Sequence, residues 1–190
     1  MATVRRRPRL IAAFVSLLLI GALALATARQ GIAQAFEEYQ LKAVFLFNFA
    51  QFVEWSHDAE RPDAPFVIGV LGEDPFDGFL DETVRGETIN NRPFLVRRYR
   101  KGEDVASCDI LFVSHSEMPR WNEILAGLKG RNVLTVSDAE DFARQGGMVQ
   151  FVTDNKHVKL KINVDAARAA NLTISSKLLR PAEIVSSQRG

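Results

Sequence analysis

The sequence predicts an α/β fold: a single domain built on a mainly parallel sheet, flanked by helices on both faces, with an antiparallel C-terminal hairpin at the edge. Three observations carry this expectation. The runs FVIGVLG, DILFVS and NVLTVS are short and continuously apolar, as befits strands buried on both faces. Helical segments opened by capping residues fall between them, and strands alternating with helices favour parallel pairing. Finally, GGMVQFVTDNKHVKLKINV reads as two strands joined by a turn at Asp154-Asn155-Lys156.

Taken in order, the chain opens with a basic head (Arg5, Arg6, Arg7, Arg9) and an apolar run from Leu10 to Ala26. Small-x-small sites follow at Ala26-Thr27-Ala28 and Ala33-Gln34-Ala35, the layout of a secretory signal. The run is shorter than the roughly 20 residues of a comfortable membrane span. Residues 1–28 are therefore expected to be a signal peptide, with cleavage as late as 35, and residues 36–187 one domain. An uncleaved anchor is the alternative. No second apolar segment of spanning length follows, so the mature chain is expected to be soluble. All 23 acids lie beyond the signal and four of the 24 basic residues lie within it, leaving a mature charge of −3. Without a basic stripe, nucleic acid is not an expected partner.

EYQLKAVFLFNFAQFVEW, residues 38–55, has helical periodicity. Leu41, Val44, Phe45, Leu46, Phe49, Phe52, Val53 and Trp55 form a broad apolar arc, expected to be core, with Gln40, Gln51 and Glu54 opposite. Asn48 interrupts the arc, and Phe47 lies in the polar strip with no evident cover. After the strand FVIGVLG, Asp74-Pro75 provides an N-cap and first-turn proline for a helix PFDGFLDETV. RPFLVRRY alternates as a strand, and DILFVS is apolar enough to be central. Ser114-His115-Ser116-Glu117 fits a capping box opening a helix through WNEILAGLKG. NVLTVS follows, and then a second capping box at Ser137-Asp138-Ala139-Glu140. After the hairpin, DAARAAN and SSKLLRPAEIV complete the chain as short helices.

Little of this points to catalysis. His57, His115 and His157 are far apart, with no metal-ligand spacing, and no phosphate-binding loop or nucleophile elbow occurs, so no metal, cofactor or enzymatic activity is expected. A ligand crevice can be drawn beyond the carboxyl ends of the strands, from Asn48, Asp74, Ser114, His115, Ser116 and Asp138. Capping is the plainer role for Asp74, Ser114 and Ser137. Ser114-His115 makes a poor hydrolase, because neighbouring residues on extended chain point apart. Phe47, Gln51, Glu54, Arg97 and Arg100 are candidate partner-binding residues, the arginines belonging to the densest basic run of the mature chain. Cys108 is the single cysteine. It excludes an internal disulfide and, adjoining DILFV, is expected to be buried; an intermolecular disulfide is the alternative.

EYQLKAVFLFNFAQFVEW resembles the opening helix of the YfiR (HmsC-like) family of periplasmic proteins. The likeness continues in IGVLGEDPF, SCDILFVS, NVLTVSD, GGMVQFV and KINVDAARAANLTISSKLL, in family order across practically the whole mature chain. The resemblance implies a non-catalytic periplasmic α/β domain. It further implies repression of an inner-membrane diguanylate cyclase of the YfiN type through its periplasmic region, relief by an outer-membrane lipoprotein, and control of cyclic-di-GMP and biofilm. A homodimer is compatible with it. The alternative function is a periplasmic small-molecule-binding domain using the strand-end crevice. Many members carry cysteine at the position of Gly69, suited to pairing at Cys108; this chain lacks that partner. Ser56 stands where the family has proline, and Pro181 interrupts a helix that the family continues.

Overall fold

The computed structural model of the chain describes residues 36–55, 64–155 and 157–187. The expected signal peptide, Ser56, His57 and Lys156 lie outside the described residues. The chain divides into two compact units, Met1–Glu37 and Glu38–Gly190, and the second holds the domain.

A helix α1 (residues 36–52) leads into strand β1 (Val53–Trp55). There follow β2 (Phe66–Leu71), α2 (Phe79–Val84), β3 (Thr88–Ile89), β4 (Arg92–Tyr99) and β5 (Ile110–Val113). A 3₁₀ segment (His115–Arg120) precedes α3 (Trp121–Gly127), and β6 is Leu134–Ser137. The hairpin is β7 (Val149–Asp154) and β8 (His157–Ile162); α4 (Val164–Ala169), β9 (Leu172–Ile174), α5 (Ser176–Leu179) and β10 (Glu183–Ile184) complete the order.

The α/β class stands, but the sheet is mixed rather than mainly parallel. Eight strands run in the order β10-β8-β7-β6-β5-β2-β4-β3. The inner pairs β4-β2-β5-β6-β7 are parallel, whereas β8 is antiparallel to β7 and β3 to β4. β10 then pairs parallel with β8, so the hairpin expected at the edge is covered by a further strand. A second, two-stranded sheet joins β1 to β9.

Alternate residues of the central strands feed two cores, one on each face. Ile68 and Val70 of β2 face a large layer with α1, α2, α4 and the β1–β9 ribbon. Val67 and Leu71 face a smaller layer with Trp121 and Ile124 of α3 and with Phe142. On this second face Gly69 admits close approach: a β-carbon there would stand 2.7 Å from the Tyr99 ring and 3.2 Å from Cys108 Sγ.

Several local expectations are corrected. The opening helix stops at residue 52, and Val53 and Trp55 become the buried residues of β1, where pairing with β9 overrides the helical pattern. Within α1 the buried face is Ala43, Leu46, Phe49 and Ala50, together with Lys42 at 2% exposure. Leu41 and Val44, expected in the core, are 42% and 43% exposed. Asp74 does not cap α2, which starts only at Phe79 because Asp77, at φ 50, breaks the helical path; Asp74 instead accepts from the Phe76 N–H in a local turn. The Ser114 hydroxyl makes no cap bond, and a 3₁₀ turn containing Pro119 replaces the first turns of the expected helix. No helix follows the second capping box: Asp141 has φ 56, and residues 140–146 form turns. Pro181 lies just past α5, whose last helical residue is Leu179.

Candidate functional site

The chain passes from β2 to β4 on one side of β2, and from there to β5 on the other. The loops leaving β2 and β5 therefore diverge, which is where open α/β sheets leave a crevice beyond the strand ends. Here the crevice encloses about 490 Å³ and is lined by Tyr39, Glu73, Asp74, Pro75, Ser114, His115, Ser116 and Asp138. Five of the six residues expected there converge. The exception is Asn48, which projects from the half-exposed side of α1 and is absent from the lining.

Each lining group is set by the strand before it. Glu73 and Asp74 follow β2, and Gly72 between them and the strand takes φ +92, where a β-carbon would collide with Ser116 Oγ at 2.5 Å. Glu73 N–H then donates to Ser116 Oγ at 3.1 Å. Asp74 is held from behind by Arg98 Nε at 2.8 Å, and Arg98 also grips Asp81 of α2. Hydrogen bonding from Arg98 keeps the Asp81 carboxyl below the usual carboxylate range. Ser114 follows β5 and is only 7% exposed, yet its hydroxyl makes no hydrogen bond to a described residue. Asp138 follows β6, whose Ser137 hydroxyl donates to the Val113 carbonyl at 2.7 Å and so ties the ends of β5 and β6 together.

The crevice is closed on the helix side by residues that sequence reasoning did not single out. Tyr39 donates its hydroxyl to Asp138 Oδ2 at 2.8 Å, and Lys42 Nζ reaches the same oxygen at 2.7 Å. Lys42 also meets Glu38 at 2.6 Å and lies 4.4 Å from the Tyr39 ring centre. Burial, reinforced by the Asp138 charge, pushes the Tyr39 phenol above its ordinary range, so it remains a donor. The signal was present as a helical spacing of Tyr39, Lys42 and Leu46, but a lysine at a core position conceals it.

Ser114 and His115 do not form a catalytic pair. The serine is buried, the histidine is exposed, and no hydrogen bond joins them. Among the described residues no group of three or more His, Cys, Asp or Glu side chains could hold a metal ion.

The candidate partner-binding residues do not form one patch. Phe47 is covered within its own fold, its ring 5.2 Å from that of Phe94, which in turn packs on Phe66 at 5.1 Å. Gln51 and Glu54 are exposed. Arg97 lies on the opposite face of β4 from Phe94, beside Ser107 and 5.9 Å from the Tyr99 ring centre. Arg100 is exposed beyond the end of β4. What the structure brings to the surface of α1 instead is a stripe at helical spacing: Leu41, Val44, the half-buried Phe45, Asn48 and Phe52, and Gln51.

In comparison with known families, residues 39–183 match the one described as YfiR/HmsC-like. No protein of curated function matches the chain. Among solved structures it is similar to the ABC domain in complex with L-Trp from Streptococcus pneumonia, with a TM-score of 0.53 and 12% identity. That likeness covers 77% of this chain and 60% of the other, and at such identity it speaks for an α/β fold alone. No helix among the described residues is long and apolar enough to cross a membrane.

Proposed function

This chain belongs to the YfiR/HmsC-like family, and on that footing we propose that it is a periplasmic, non-catalytic regulator of cyclic-di-GMP signalling. It binds the periplasmic region of an inner-membrane diguanylate cyclase and represses it, and an outer-membrane lipoprotein relieves the repression by competing for it. The observation that carries this reading is the outward stripe of α1. Leu41 and Val44 stand 42% and 43% exposed on a helix whose lysine is buried, and apolar anchors at such spacing are what a helix offers to a partner groove. Repression follows if the stripe fits one conformation of the cyclase sensor better than the other, since only differential affinity shifts such an equilibrium.

The test is a deletion strain complemented with wild type or with the double variant Leu41→Glu/Val44→Glu. Deletion raises cyclic-di-GMP and biofilm; wild type restores both to the parental level. The variant, exported and folded by circular dichroism, fails to restore them. Unchanged cyclic-di-GMP in the deletion strain with the cyclase present, or full repression by the variant, overturns the reading. A second reading, binding of a small molecule beyond the strand ends, is favoured by the crevice between Tyr39, Ser114 and Asp138.

A further inference from the structure

We propose that the strand-end crevice binds a small organic cation bearing a primary ammonium group. The proposal rests on the small-molecule reading of the crevice and specifies its chemistry. Glu73, Asp74 and Asp138 line the cavity, and no lysine or arginine does. The nearby cations are already committed: Lys42 is shared between Glu38 and Asp138, and Arg98 between Asp74 and Asp81. The walls therefore keep a net negative charge.

Three acceptors are left over. The Glu73 carboxylate has no side-chain partner among the described residues, and Asp138 spends only Oδ2 on Tyr39 and Lys42, leaving Oδ1. The third is the Ser114 hydroxyl, which is 7% exposed and has no partner among the described residues. A buried hydroxyl without a hydrogen bond is costly and rare, and one that lines a cavity is suited to bonding a ligand there. An ammonium presents three N–H donors and no acceptor, and each of these three groups offers it a lone pair. A bare metal ion is the poorer fit, since no ligand cluster exists among the described residues and the volume of about 490 Å³ suits an organic molecule. The Tyr39 ring and Pro75 supply apolar wall for its carbon skeleton.

The mature protein at physiological salt is titrated with putrescine, ethanolamine, choline, glycerol and acetate, following the thermal midpoint and the heat of binding. Putrescine or ethanolamine raises the midpoint saturably; choline, which lacks N–H donors, glycerol and acetate do not. Glu73→Gln and Ser114→Ala each weaken amine binding about tenfold or more, the loss of one hydrogen bond to a charged group. Glu73 is exposed, so its substitution leaves the unliganded midpoint unchanged and separates binding from folding. Choline binding as tightly as the primary amines, or variants that bind like wild type, overturns the proposal. Binding of glycerol or acetate in place of amines, lost in Ser114→Ala, overturns the cation assignment while the crevice stands as a ligand site. Flat titrations throughout overturn both.

Discussion

Arg92 and Asp109, 1% and 0% exposed, meet at the amino-terminal end of the parallel strands. Arg92 spans Asp109 Oδ1 at 2.9 Å and Oδ2 at 3.0 Å and donates to the Ala64 and Pro65 carbonyls, while Asp109 accepts from the Val67 N–H at 2.7 Å. Removing one partner strands a buried charge, so Arg92→Ala costs about 3–5 kcal/mol by urea denaturation, whereas an apolar replacement of both costs far less. Cys108 is the second residue-scale case. Burial pushes its thiol well above the ordinary range, and it donates to the Val105 carbonyl at 3.0 Å. Iodoacetamide labels it only as the chain unfolds. The folded chain keeps a proton that the unfolded chain releases above about pH 8.5. This contribution to stability is therefore complete below that pH and is lost as pH rises past it, which a Cys108→Ala comparison across alkaline pH would detect. The crevice residues Asp74, Ser114, His115, Ser116 and Asp138 were legible because each falls just beyond the end of an apolar run. Tyr39, Lys42 and the Arg92–Asp109 pair were not, since long-range packing alone brings these polar groups to their partners.

At the scale of elements, α1 shows why a helical wheel was ambiguous. It has two apolar faces: Leu46 and Phe49 are fully buried, while Leu41 and Val44 are exposed. A wheel sums both into one broad arc. Leu46→Ala is expected to cost about 2–5 kcal/mol, and Leu41→Ala to stay within about 0.5 kcal/mol. Equal losses in thermal or urea unfolding would contradict the two-faced helix. Strands of four or more residues were legible from apolar runs or from alternation; β1, β3, β9 and β10, of two or three residues each, are too short to leave a pattern. Both capping boxes failed for the same kind of reason. After Ser114 the chain winds into a 3₁₀ turn containing Pro119, and after Ser137, whose hydroxyl does accept from the Ala139 N–H at 3.1 Å, Asp141 at φ 56 breaks the helical path.

For the whole molecule, the parallel strands have one sealed end and one open end: the Arg92–Asp109 pair closes the first, and the crevice opens the second. The α/β class was readable from strand–helix alternation. The mixed sheet was not, because β3 and β10 are recruited by pairing rather than by composition. The β1–β9 ribbon, with Val53 opposite Ile174 and Trp55 opposite Leu172, carries the largest consequence. It clasps the start of the domain to a segment synthesised more than a hundred residues later. A chain ending at residue 171 should leave α1 open to limited proteolysis while the full chain resists it; equal protection would show that the clasp is dispensable. A polypeptide emerging amino-terminus first must therefore carry α1 unlatched until residues 172–174 arrive. Such distant closure makes for slow folding, and a holdase at the exit would have that helix as its natural client.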